Sequence, residues 1–437
     1  MRDLVLATFL LGSLPFVLGR PVLGVFLWIW VSVMSPHRLT YGFAYDFGFA
    51  QFIAVATLLG LVLSRQPKRL PVTPVTIVLF AMLLWMNLTT LFALDTAAAL
   101  PMWERVMKIQ IMIFVTLALL QTRQHVQVLM WILAGSVAFY AVKGGLFTLR
   151  GGGEYRVWGP LGSFIEDNNS LALATVMTIP LLHYLQLQAT RRWLRYALLA
   201  AMLLSGLSAL GSHSRGAFLA IAAMLAILCF KSRKKVLTGL GLMLLIPIAV
   251  SFMPESWEDR MMSIQSYEED RSAMGRINAW SMAYNLATDR PLIGGGFEIY
   301  TPEVFARYAP DPTDLHAAHS IYFQMLGEHG FVGLSLFLLL WLLVWRDASW
   351  IDRQARRRKG WQWASDLARM IQVSLVGYAV GGAFLSLAYY DVPYNLLVAL
   401  VVTRVLIEKQ LRSADQAAPE AAPTPLEPLA PGQTSIR

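Results

Sequence analysis

The chain has 437 residues, of which 56% are hydrophobic and only 14% charged, and its mean hydropathy is +0.53. Soluble domains carry about 25% charged residues, so this composition cannot cover a water-facing surface of that size and excludes an ordinary soluble protein. The net charge of +9 sits in short basic runs between apolar segments, which argues against a nucleic-acid partner, and the single cysteine, Cys229, excludes an intrachain disulfide framework.

A bilayer core about 30 Å thick needs about 20 apolar residues per helix, so twelve spans would use roughly 240 residues. Residues 4–34 are too long for one straight crossing. Pro15, Gly19 and Pro21 break the run, which counts as one interrupted crossing or two short ones. Arg2 and Asp3 precede it and no small-residue cleavage signal follows, so it reads as a first span rather than a removed signal peptide. Charge-poor stretches then follow at 47–64, 70–94, 109–122, 124–142, 168–190, 196–214, 216–230, 236–254, 330–345, 370–390 and 392–407. None alternates with period 2, so helices are expected and not barrel strands. The expected fold is an all-α polytopic membrane protein with about twelve spans, thirteen if residues 4–34 cross twice.

Basic residues set the sidedness. Arg65, Lys68 and Arg69, then Arg123, then Arg191, Arg192 and Arg195, then Lys231 to Lys235, then Arg353 to Lys359 all fall on one side when the spans are counted. The positive-inside rule makes that side cytoplasmic. The other side, the periplasm of a bacterium, receives 35–46, 95–103, 150–167 and a long segment, 254–318, with eleven acidic residues against five arginines. The expected organisation is transmembrane helices 1–10 in 1–253, a periplasmic loop with helices in 254–318, the last transmembrane helices in 319–412, and a Pro- and Ala-rich disordered cytoplasmic tail in 413–437.

The outer face carries the candidate chemistry. Residues 271–285 place Met274, Ile277, Trp280, Ala283 and Tyr284 at helical spacing, an amphipathic helix fit to lie along the membrane and bearing Arg276. The glycine run in 288–296 is either a plain turn or a lid or cradle for a sugar or phosphate. His316 and His319 stand at i and i+3, where they would share a helix face. A metal pair, hydrogen bonding at a helix start and a general base at a helix mouth all remain open. Glu328 and His329 lie two to three turns farther on, too far to complete a ligand set, and Glu166-Asp167 and Glu268-Glu269-Asp270 read as acidic surface turns. No metal and no cofactor is expected. Arg215 stands between two apolar spans with no acidic residue within ten positions. A cation at membrane depth calls for an anionic partner, and a lipid phosphate would supply it; His213 beside it reads as a structural neighbour. Residues 95–108 add charge on the same face. In 143–156, Gly144, Gly145 and Gly151 to Gly153 suggest a mobile loop from which Arg150 and Arg156 could reach an anion.

His319-Ser320, nine residues, then Gly330-Phe331-Val332-Gly333 resembles the H-[NSQ]-x9-G-x-x-G signature of the O-antigen ligase family. Ser214-Arg215-Gly216, Arg276 and the long preceding loop also resemble that superfamily, which includes O-oligosaccharyltransferases and, more distantly, O-antigen polymerases. The segment around 157–173 and the C-terminal region resemble O-glycosylation ligases associated with exosortase-type systems. The resemblance implies a glycosyltransferase C-type fold in the inner membrane. It implies glycan transfer on the periplasmic side, from undecaprenyl diphosphate to a sugar hydroxyl of lipid A–core, among membrane lipids. By motif, His319 would be the catalytic histidine, and Arg215 and Arg276 would bind the diphosphate. Outside the motif, Arg156, from its loop, and His316, on which the motif places no duty, are candidate substrate contacts, and Tyr322, one turn beyond His319, would either line the site or serve packing. Fixed arginines can neutralise a diphosphate leaving group as a metal would, and a neutral imidazole can take the acceptor's proton. A lipid-linked glycan transporter, the rival of another class, would need charges at both depths, whereas the unusual residues here gather on one face.

Overall fold

The computed structural model describes residues 1–232, 235–262 and 271–417, and no strand occurs among them. The expectations placed on Arg233, Lys234, Glu268-Glu269-Asp270 and the tail beyond Ala417 fall outside the described residues.

The N-terminal run is two helices, α1 (Arg2–Gly19) and α2 (Pro21–Met34), which part at Arg20 where φ is −135° and ψ 79°. Pro21 at the first position of α2 explains the break, because its ring fixes φ for a helix start and disfavours helical geometry in the residue before it. There follow α3 (Phe49–Leu63), α4 (Pro74–Leu91), α5 (Thr96–Leu119), α6 (Arg123–Arg150), α7 (Asn168–Gln188), α8 (Arg192–Leu210), α9 (Arg215–Lys231) and α10 (Lys235–Ser251). The segment after α10 folds into α11 (Glu255–Met262), α12 (Arg271–Asp289) and α13 (Pro302–Tyr308), and the chain closes with α14 (Ile321–Arg356), α15 (Gln362–Gly381) and α16 (Asp391–Ala417). Side-chain oxygens cap several starts, as the sequence allows: Thr73, Asp95, Thr122, Asp167, Ser214 and Thr301 each accept from a backbone N–H of the first turn.

Seven described helices (α1, α4, α6, α7, α8, α14 and α15) are long and apolar enough to cross a membrane, and α2 and α3 are shorter apolar helices. Length and composition therefore support a multi-pass membrane protein without reproducing the expected count of twelve. Outward faces carry Phe9 and Phe16 of α1, Val55 and Leu59 of α3, and Ile77 and Leu84 of α4, all exposed. Such continuous apolar exposure suits lipid and not water. Three boundaries differ from expectation. α6 runs through Lys143 to Arg150, so Gly144 and Gly145 do not loosen a loop; they let α6 close onto Ser208 and the Leu204 carbonyl of α8, where a Cβ would collide. α16 continues to Ala417, five residues into the expected tail. α14 is broken at Gly330, with φ of 67°.

The two groups of connections separate to opposite ends of the bundle. At one end lie the basic loops: Arg123 sits over the Trp363 ring, Lys231 donates to Gln372 at 2.7 Å, and Arg356 pairs with Asp352 at 2.6 Å. At the other end the acidic-side segments meet. Arg38 abuts Gly162, the Leu94 N–H donates to Gly295 at 2.8 Å, Gly153 abuts Pro254, and Trp257 of α11 donates to Leu210 at 3.0 Å.

Candidate functional site

The described non-glycine residues with positive φ are Ser35, His213, Glu298 and His319, and all four lie at this second end. Left-handed backbone costs an ordinary residue about 1–2 kcal/mol and persists where surrounding contacts over-determine it. The helix starts of α7, α9 and α14 meet here as well. Asn168 of α7 donates to the Ser212 carbonyl at 2.7 Å, and the His213 ring nitrogen Nε2 stands 2.7 Å from the Gly153 carbonyl. Gly216 of α9 abuts Phe384, and Ile321 of α14 abuts Gly382 in the same short turn after α15. Arg215 and His319 thus flank one turn, each at or beside a helix N-terminus whose partial positive charge favours an anion.

α12 fixes the irregular segment that carries the histidines. Asn278 donates to the carbonyls of Asp311 at 2.8 Å and Asp314 at 3.0 Å and accepts from the Asp311 N–H at 2.9 Å. Trp280 donates to the buried Ala318 carbonyl at 2.6 Å and stacks on Phe323 with centroids 5.1 Å apart. Gly275 leaves room for the His316 ring, which a Cβ would meet at 2.7 Å. Arg276, one residue on, is close enough to act electrostatically on His319. Burial, and then the Arg276 guanidinium, holds the His319 imidazole below its ordinary range, while Asp167 pulls the other way. His319 is therefore neutral, a proton acceptor, at neutral pH. Neither Arg215 nor Arg276 is free: each has a polar or electrostatic contact within the protein.

Several expectations need correction. His316 and His319 share no helix face, because α14 begins only at Ile321 and His319 has φ of 43°. His316 Nδ1 lies 2.9 Å from Asp314 Oδ1. The Tyr322 hydroxyl donates to the Ala379 carbonyl at 2.9 Å, which favours packing over substrate lining. Arg156 is exposed beside Val157, whose N–H donates to Gly211 at 3.2 Å; it is at the right end but in no described contact with the histidines. The buried face of α12 is Gly275, Asn278, Ala279, Met282, Ala283, Leu286 and Ala287, against α13, α14 and the histidine segment, while Met274 and Tyr284 are exposed. Small residues permit that close approach.

The glycine run after α12 is neither lid nor phosphate cradle. Its donors are already bound: Gly295 N–H to the Gly327 carbonyl and Gly296 N–H to the Glu328 carbonyl, both at 2.9 Å. Phe331 N–H donates to Pro291 at 2.8 Å and Trp85 to the His329 carbonyl at 3.1 Å. These four bonds satisfy the backbone groups that the break in α14 exposes. The motif glycines follow from the same geometry. Gly330 needs positive φ, and a Cβ there would stand 2.5 Å from the Leu292 carbonyl oxygen; a Cβ on Gly333 would strike His329.

Under the break lies a buried polar chain that sequence reading passed over. His329 Nδ1 is 2.7 Å from Thr89 Oγ1, its Nε2 is 2.7 Å from the Tyr389 hydroxyl, and that hydroxyl donates to Glu328. Glu328 in turn accepts the Glu298 N–H at 3.3 Å. Thr89, Glu328 and Tyr389 belong to three distant segments, so spacing along the chain carried no signal for it. Among the described residues, no group of three or more His, Cys, Asp or Glu side chains is placed to hold a metal ion.

Residues 200–338 match the family model described as O-antigen ligase, and residues 1–190 match a family of unknown function (DUF5935). No protein of curated function matches the chain. The first match takes in Arg215, Arg276, His319, Gly330 and Gly333, so the site assembled above lies within it.

Proposed function

We propose that this chain, which carries an O-antigen ligase family segment at residues 200–338 and so belongs among glycosyl-transfer enzymes of that ligase and polymerase type, is an inverting, metal-independent ligase. The donor is a glycan on undecaprenyl diphosphate, and the acceptor is a sugar hydroxyl of lipid A–core. The observation that carries the reading is the juxtaposition of Arg276 with a neutral, half-buried His319 on a segment fixed by α12.

The acceptor oxygen attacks the anomeric carbon as the carbon–oxygen bond to the diphosphate breaks. The acceptor's proton passes to His319, and the diphosphate leaves with the bonding electron pair. One displacement without an enzyme nucleophile inverts the anomeric centre. Arg276 and Arg215 hold the diphosphate, with bidentate hydrogen bonds that strengthen as negative charge grows on the leaving oxygen. Arg156 and His316 serve as outlying substrate contacts. The basic end of the bundle faces the cytoplasm by the positive-inside rule, so the site faces the periplasm from the inner membrane.

The test is reconstitution. Purified protein in proteoliposomes, given a lipid-linked glycan and lipid A–core, should yield glycosylated lipid A–core and free undecaprenyl diphosphate by mass spectrometry. Absence of any transfer refutes the reading. Elongation of the lipid-linked glycan in place of lipid A–core modification would assign a polymerase.

A further inference from the structure

We propose that Arg105, Glu298, Tyr390 and Asp391 form the subsite for the acceptor sugar, on elements that do not carry the diphosphate arginines; the proposal rests on the glycan-transfer reading above. The four come from α5, the segment before α13, and the start of α16. The Arg105 guanidinium carbon lies 3.7 Å from the centroid of the Phe164 ring. It is within electrostatic reach of both Asp391 and Glu298, yet makes no ion pair with either among the described residues. Asp391 is 2% exposed and accepts from Ser32 Oγ at 2.5 Å. Tyr390, also 2% exposed, has its ring 6.2 Å from Phe164 and its hydroxyl near Asp391, and that buried hydroxyl has no hydrogen-bond partner among the described residues.

Glu298 completes the set in a strained conformation, with φ of 57°, held by Glu328 through its own N–H at 3.3 Å. The buried chain of Glu328, Tyr389, His329 and Thr89 thereby acquires a purpose: it anchors the carboxylate that holds Glu298 in place. Backbone strain maintained by a buried network marks a positioned side chain.

The chemistry selects the ligand. A cation and two carboxylates are held apart without pairing, next to an orphaned phenol and aromatic surface. A sugar ring fits, because each hydroxyl can donate to a carboxylate and accept from Tyr390 or Arg105, and its C–H face packs on a ring. A diphosphate does not fit, because two carboxylates repel it. The subsite also adjoins the base. Phe164 is three residues from Asp167, whose charge acts on His319. Glu298 is two residues from Tyr300, whose hydroxyl lies against the backbone of Ala318.

The test uses full-length protein in proteoliposomes, with lipid A–core binding and transfer both measured. Glu298→Gln and Asp391→Asn should each raise the acceptor KM and the lipid A–core Kd about tenfold, while donor KM stays at the wild-type value. Glu298 is only half-buried, so Glu298→Gln keeps the test intact where Asp391→Asn fails to fold. Unchanged acceptor KM and Kd in Glu298→Gln overturn the subsite while leaving the transfer reading standing. Wild-type protein that binds lipid A–core, loses that binding in Glu298→Gln, and transfers nothing supports the subsite and overturns the transfer reading. Wild-type protein that binds no lipid A–core overturns the subsite.

Discussion

Trp280→Phe isolates one bond in the link between α12 and the segment that carries His319. Phenylalanine keeps an aromatic face for stacking on Phe323, but it cannot donate to the Ala318 carbonyl, which accepts from Trp280 at 2.6 Å. Ala318 is fully buried, so its carbonyl is left unsatisfied, at a cost of about 1–3 kcal/mol. Because His319 is the next residue and has left-handed backbone, that energy is the margin by which the segment is held in place. Lost from the transition state, it lowers kcat about five- to 150-fold, at about 1.4 kcal/mol per factor of ten. Donor KM should stay near wild type, because Arg276 remains on an intact α12. Initial rates in proteoliposomes, with donor and acceptor varied separately, give the split. A kcat within twofold of wild type would refute the idea that Trp280 positions the base, and so would a raised donor KM at unchanged kcat.

Gly330→Ala adds left-handed strain of about 1–2 kcal/mol and drives a Cβ to 2.5 Å from the Leu292 carbonyl oxygen, so its melting temperature in detergent should fall. Gly12→Ala, with open space around it, should not lower the melting temperature, and equal behaviour of the two would contradict the account of the break. The pH profile of kcat/KM should keep its acid limb below about 6.5, because burial and Arg276 depress the His319 pKa. The same depression gives stability a sign: as pH falls through about 6.5 the unfolded histidine takes up a proton before the folded one, so the melting temperature declines; an acid limb above that value speaks against the assignment. Transfer should continue in excess EDTA, and loss of activity that magnesium or manganese restores would reverse the metal-independent reading.

Legibility followed the range of the interactions. Helices were readable because apolar runs act over a few residues, whereas the caps at Asp95, Asp167 and Ser214 came only with the structure. The separation of basic from acidic connections was readable because it depends only on counting spans. Gly330 and Gly333 were visible as a pattern, but their reason was not, because Leu292 and His329 supply it across the fold. A glycine run reads alike as turn or cradle; in the fold the Gly295 and Gly296 donors serve the carbonyls of α14. The protein-facing side of α12 carried no signal, because Gly275 and Ala279 bury by being small, which a hydrophobicity pattern undervalues. Nothing in the sequence joined Arg105 to Asp391, or Thr89 to His329, since these pairs exist only after α4, α5, α14 and α16 have packed.

In the proposed reaction labour is divided: the arginines hold the diphosphate and His319 takes the proton. Equilibrium binding of undecaprenyl diphosphate to wild type, Arg215→Ala, Arg276→Ala and His319→Asn tests it most directly; asparagine tolerates the left-handed backbone at position 319. Each arginine variant should bind at least tenfold more weakly, since a charge-assisted hydrogen bond contributes about 1.5–3 kcal/mol, while His319→Asn should bind like wild type. Undecaprenol, which has no phosphate, should bind all four proteins alike. Wild-type affinity for the diphosphate in both arginine variants, or its loss in His319→Asn, would contradict the account.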